Sequence, residues 1–133
     1  MKIGLSTFTR DSDYHRLFAF KAAREAARLL RFFESERPKD PRPRQAITAI
    51  DAWSRGKLKL GMASVRRLAL AAHAAARNAK SDPAKFAARA AGHAIATWHA
   101  PTHSLATFSY AAKADFAARY ARASRASRRR KSA

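Results

Sequence analysis

The sequence predicts an all-α protein: a compact bundle of about five helices with a basic C-terminal tail. Three observations predict it. Apolar residues recur at spacings of three and four along almost the whole chain. Alanine, the best helix former, supplies 34 of the 133 residues, against four Gly and five Pro. No segment alternates β-branched residues over the length of a strand, so no sheet is expected. The length suits one domain. It reads as an N-terminal segment 1–11, a helical domain 12–121 and an Arg/Ser-rich tail 122–133.

The first helix is expected from about Ser12 to Glu34, with Ser12 or Asp11 accepting hydrogen bonds from the free amides of its first turn. Phe18, Ala22, Ala26, Leu29, Leu30 and Phe33 form its apolar stripe. Lys21, Arg24, Arg28 and Arg31 form a basic stripe on another face, which reads either as a solvated face or as a contact for a polyanion. Pro38, Pro41 and Pro43 forbid a continuous helix and make residues 35–43 a loop. Pro43 suits the first turn of the second helix, which carries Ile47, Ile50 and Trp53 and stops at Gly56, a left-handed C-cap. The third helix is expected from about Met62 to Lys80, with Val65, Leu68, Ala69, Ala72 and Ala76 inward. Asp82-Pro83 reads as cap and first residue of the fourth helix, with Phe86, Ala90, Ala94 and Trp98 buried and Pro101 ending it. Thr102 can cap the fifth helix, whose inward residues are expected to be Leu105, Phe108, Ala112, Phe116 and Tyr120. From about Ala123 the chain is Arg, Lys, Ser and Ala only. It cannot bury an apolar face, so it is expected to be disordered or a frayed helical extension.

The charge pattern says most about partners. The net charge is +19, and between Trp53 and Ala133 only Asp82 and Asp115 oppose the lysines and arginines. The run Arg122, Arg125, Arg128, Arg129, Arg130 and Lys131 contains no acid. Such a surface attracts polyanions: nucleic acid, an acidic protein or an anionic membrane face. Nucleic-acid attachment through the tail would depend steeply on salt, because each phosphate contact releases counterions. The bland alternative for the tail is a solubilising terminus. It has no aromatic for base stacking after Tyr120, and no helix-turn-helix glycine turn or zinc finger marks a sequence reader. A membrane role is weaker, since the fifth helix does not divide its apolar and basic residues cleanly. No apolar run reaches spanning length, and the first residues lack the apolar core of a secretory signal. With no cysteine either, the expected compartment is the cytoplasm.

Catalysis is not expected. Carboxylates are scarce, and acid–base hydrolysis needs two with separated pKa values. No elbow positions a nucleophile, and no glycine-rich loop cradles phosphate. Four of the five histidines come late: His73, His93, His99 and His103. Imidazoles from several helices could converge on a transition metal. Their spacing matches no zinc signature, however: there is no His-Glu-x-x-His, no Glu-x-x-His and no cysteine. The expectation is half-buried histidines hydrogen-bonded across helices, including to Thr97, Thr102, Ser104 or Ser109, with no metal and no cofactor.

One set of motifs carries a family resemblance. It comprises Asp40-Pro41-Arg42-Pro43-Arg44-Gln45-Ala46-Ile47, then Ala52-Trp53-Ser54-Arg55-Gly56, then His73 to Arg77, then Arg89 with Gly92-His93, Thr97, His99, His103 and Tyr110. In this order, over roughly residues 14 to 116, the chain resembles a bacterial family of small helical immunity proteins described as immunity-protein-five-like. The resemblance implies an all-helical domain that neutralises a partner toxin by protein–protein binding, without catalytic residues. The positions matching its motifs are Arg42, Arg44, Trp53, Arg55, His73, Arg77, Arg89, His93, His99 and His103. They also read as a signature that maintains the fold: Arg42 and Arg44 pinning the loop, Trp53 in the core, and Gly92 allowing close helix contact beside His93. A chain of charge +19 is repelled by the basic active site of a nuclease, so an immunity role requires an acidic toxin surface. The Arg-rich extension lies outside the resemblance. Self-association stays open.

Overall fold

The computed structural model describes residues 12–132; the N-terminal segment 1–11, with Asp11 as alternative cap, lies outside them. The described residues form five helices and no strand: α1 (Asp13–Glu34), α2 (Arg42–Ser54), α3 (Met62–Asn78), α4 (Asp82–Ala96) and α5 (His103–Ser132).

The helix ends follow from local chemistry. Ser12 Oγ accepts from the His15 amide at 3.1 Å and starts α1. At the end of α2 the Gly56 amide bonds the Trp53 carbonyl at 3.0 Å and the Lys57 amide bonds that of Ala52 at 2.9 Å. Gly56 has φ +73°, which only a residue without Cβ adopts freely, so this pair of bonds closes the helix as a Schellman turn. Ser81, not Asp82, caps α4, its Oγ accepting from the Ala84 amide; Asp82 moves into the first turn beside Pro83, where its charge suits the helix dipole. α4 stops at Ala96, before Pro101, so Trp98 sits past the helix end in a turn and is still buried.

α4 is the hub. It packs against α1, α2, α3 and α5, whereas α3 and α5 do not touch each other, and neither do α2 and α5. Four neighbours can approach one helix because its buried residues are Ala84, Ala87, Ala88, Ala90, Ala91, Gly92, Ala94 and Ile95. Small side chains set short interaxial distances. Leu29, Phe33, Ile50 and Trp53 fill the space among α1, α2 and α4. Arg16 donates to the Trp53 carbonyl and lies over its ring at 4.5 Å.

Glu36 ties two connections together. Its carboxylate accepts from the amides of Lys80 and Ser81 at 2.8 and 2.9 Å, which anchors the loop after α1 to the entry of α4.

α5 reverses the sequence expectation. Its buried residues are Ser104, Thr107, Ala111, Ala114 and Ala118. Leu105, Phe108, Phe116 and Tyr120, expected inward, are 70%, 41%, 72% and 66% exposed, and Ala112 is exposed too. The reason is the hub: a helix that must approach alanine-lined α4 closely presents its own small face. The hydroxyls buried on that face are satisfied within the helix or its entry turn, Thr107 by the His103 carbonyl and Ser104 by the Pro101 carbonyl. α5 then continues without a break through the basic tail to Ser132, although its last buried residue is Ala118.

Candidate functional site

Two regions gather the residues that the sequence singled out. The first is an open groove of about 1030 Å³ whose floor is α1, flanked by α2 and by Phe108 of α5. It exists because α1 contacts both α2 and α5 while those two stay apart. Lys21, Arg24 and Arg28 of the basic stripe lie on the floor, with Leu17 and Phe20 between them, and Arg44 and Arg55 stand on the α2 side. Arg31 is not among the lining; its guanidinium covers Phe32 at 4.7 Å and donates to the Arg28 carbonyl.

These cations divide by what they hold. Arg28 bonds Glu25 at 2.6 Å and Asp115 at 2.8 and 3.1 Å, joining α1 to α5. Those carboxylates keep its guanidinium pKa above the ordinary value, and Arg28 in turn keeps Asp115 below the usual carboxylate range. Arg44 grips Glu34 at 2.5 and 2.8 Å, and Arg42 grips Asp40 at 2.7 and 2.9 Å, both through two nitrogens. These fork-to-fork bonds hold Glu34 and Asp40 below their ordinary pKa. They are the loop-pinning contacts the sequence suggested. Arg55 pairs with Asp51 at 3.1 Å and, with Arg24, brackets the Phe20 ring at 5.5 and 5.6 Å. Lys21 and Arg24 pair with no carboxylate among the described residues. The same holds for Arg122, Arg125, Arg128, Arg129, Arg130 and Lys131 on the helical tail.

The second region fills the gap between α3 and α5, over α4. Arg89 Nη1 donates to Nδ1 of His73 at 2.9 Å. Arginine has no acceptor, so Nδ1 of His73 is unprotonated and that imidazole is neutral. His93 makes an edge contact with His73 at 5.1 Å between centroids, stacks on His103 at 5.5 Å and stacks on Tyr110 at 5.3 Å. Its Nδ1 lies 3.3 Å from Nδ1 of His103, a contact in which one ring donates and the other accepts. Burial first, then the charges of His93, Arg89, Arg77 and His103, push the His73 pKa down to about 4. His93 is lowered by burial, His103 and Arg89, and His103 by burial and His99.

The cross-helix bonding expected of these histidines is therefore present with different partners. The rings use one another and Arg89, while Thr97 Oγ1 donates to the His93 carbonyl and Ser104 bonds the Pro101 carbonyl. His99 stays exposed in the turn after α4, and Arg77 is exposed near the end of α3. Among the described residues no group of three or more His, Cys, Asp or Glu is placed to hold a metal ion. Trp53 is core, as expected.

With this geometry the comparisons with known proteins become informative. Residues 9–133 match the family described as "Imm-5 like putative immunity protein". The chain belongs to this Imm-5 like family. The match runs through the Arg-rich extension that the motifs left outside. No curated protein and no solved structure matches the chain. Of the positions matched to motifs in the sequence, His73, Arg89, His93 and His103 converge between α3 and α5, Arg44 and Arg55 stand at the groove, and Arg42 and Trp53 serve the α2 framework. No described helix is long and apolar enough to cross a membrane.

Sequence reasoning missed several participants. His15 is 1% exposed, bonds the Thr97 carbonyl at 2.6 Å through Nε2 and meets Trp53 edge-on at 5.0 Å. Tyr110, named among the motifs but given no role, stacks on His93 and has Lys113 Nζ over its ring at 4.7 Å. Leu17, Phe20 and Phe108 supply the apolar part of the groove. Only the spacing of His73 and Arg77, and of Arg89 and His93, hinted at a shared face.

Proposed function

We propose that the protein is a non-enzymatic immunity protein that neutralises a partner toxin by binding an acidic surface of it. The observation that carries this reading is membership of the Imm-5 like family. The sign of the partner follows from charge. The described carboxylates are largely engaged: Glu25, Glu34, Asp40, Asp51 and Asp115 hold arginines, and Glu36 holds two backbone amides. Lys21, Arg24 and the basic residues from Arg122 to Lys131 pair with no carboxylate among the described residues, so an approaching acidic surface is attracted and a basic one repelled. Co-expression with candidate toxins drawn from the neighbouring genes tests the reading: the protein should restore growth against one of them and form a complex with it whose affinity falls with salt. A toxin that remains active with the protein bound, or no complex at all, overturns it.

A second reading has its own observation. Arg122 to Lys131 form an acid-free helical run suited to phosphates. Binding of duplex and single-stranded nucleic acid by the full chain and by residues 1–121, across a salt series, separates the two. Tight binding with a steep salt slope that truncation abolishes favours nucleic acid. Weak binding unaffected by truncation leaves the protein partner.

A further inference from the structure

The outward face of α5 is apolar and uncovered. Leu105, Phe108, Ala112, Phe116 and Tyr120 recur at spacings of three and four over about 22 Å of helix, and all are exposed. None is needed for the core, which α5 contacts through Ser, Thr, Ala and Tyr110. A row of exposed large apolar side chains of this kind on a charged protein marks an interaction surface.

The pattern limits the occupant. Ser109 and Ala112 leave a low stretch between Leu105 and Phe108 on one side and Phe116 and Tyr120 on the other, the relief into which a second helix packs its ridges. Lys113 and Arg119 stand exposed beside the large residues, and Lys21 and Arg24 lie in the groove that Phe108 borders. The one acid of α5, Asp115, is neutralised by Arg28. A second copy of this chain would bring the same cations against them, at +19 on each molecule. A bilayer needs a face free of charge, which Arg119 and Lys113 interrupt.

We propose that this face of α5 receives an amphipathic α-helix of the partner, apolar at every third and fourth position and flanked by Asp or Glu. The proposal rests on the immunity reading and names the element that would be bound.

The test uses the full chain and a synthetic helix of about 20 residues, with Leu at alternating three and four spacing and Glu on both flanks. A peptide of the same composition in shuffled order is the control. The helix should bind about tenfold or more tighter than the shuffled peptide. The variant Leu105→Ser/Phe116→Ser should erase that difference, while Leu70→Ser, an equally exposed position on α3 (62%), should keep it. Equal affinity for both peptides overturns the proposal, as does equal loss in the Leu70 variant. So does a dimer of the chain that the double variant dissolves, or capture by phosphatidylglycerol vesicles that the double variant abolishes without any preference for the helix. Growth protection by the same variants keeps the two readings apart. If the wild type protects and the double variant protects equally, the docking face is wrong and the immunity role stands. If the wild type does not protect, the immunity role is wrong whatever the peptide does.

Discussion

The imidazole of His73 occupies the space where residue 92 would carry a Cβ: a carbon built there on Gly92 stands 2.6 Å from Nε2 of the ring. α3 and α4 are therefore spaced by a ring lying on bare backbone, and the same ring accepts from Arg89.

Gly92→Ala should destabilise the fold by about 1–2 kcal/mol. Overpacking costs about 1–3 kcal/mol, and the better helix propensity of Ala returns up to about 1 kcal/mol. In a His73→Ala background the obstacle is gone, so adding Gly92→Ala should then stabilise. Thermal or denaturant unfolding of the four proteins measures this coupling. Additive effects would show that His73 does not set the spacing.

Stability should fall as the pH drops from about 6.5 towards 4. His73, with a pKa lowered to about 4, and His93 and His103, lowered in the same direction, bind protons more readily when unfolded. Wherever the unfolded chain binds more protons, stability rises with pH, so the contribution is complete above the unfolded histidine value and lost below it. The charged groups acting on these rings from outside the trio are Arg77, Arg89 and His99, all cationic or able to become so, with Lys113 over the neighbouring Tyr110 ring. Urea unfolding at pH 7.5 and 5.0 should show the difference, and His73→Gln should reduce it. An unchanged pH slope in that variant would assign the effect elsewhere.

Glu36→Ala should cost about 1 kcal/mol, because two amides lose a charged acceptor. Burial alone would raise the Glu36 pKa, yet the bonds from Lys80 and Ser81 outweigh it and the value is lowered. The contribution is thus present at neutral pH and disappears as the carboxylate protonates in acid. Hydrogen exchange at the Lys80 and Ser81 amides should accelerate in the variant, and unaltered exchange would argue against the tether.

Removal of residues 122–133 should leave the melting temperature within about 2 °C of the full chain, since a 1 kcal/mol change corresponds to about 4 °C in a chain of roughly 120 residues. No described residue of that stretch is buried, and its removal lowers charge repulsion. A large drop would mean that the basic end packs on the body.

The helices were legible because alanine, capping serines and the prolines act locally. Ser12 and Gly56 mark ends through their own hydrogen bonds or backbone angles, whereas the cap of α4 falls one residue before the expected Asp82, at Ser81. The buried face of α5 was not legible. Hydrophobicity separates inside from outside only when the core is built of large residues, and here most buried apolar residues among those described are alanines. Leu105 and Phe116 then look like core residues in sequence while Ala111 and Ala114 hold that place. For the candidate site, the motif positions were visible but their grouping was not. The convergence of His73, Arg89, His93 and His103 depends on α3 and α5 flanking one helix, which no local pattern specifies.

The length of α5 has a consequence for encounter. Its last fourteen residues run on past Ala118 for about 20 Å, and they carry Arg119 and the six basic residues from Arg122 to Lys131. At physiological ionic strength the field of a charge fades over about 8 Å, so cations on the rounded body are felt only close to it. A helical extension of this length holds its outermost charges more than two such lengths beyond Ala118. It widens the distance at which an acidic surface is first drawn in, and it aims that surface along the same helix on which Phe116 and Tyr120 lie exposed.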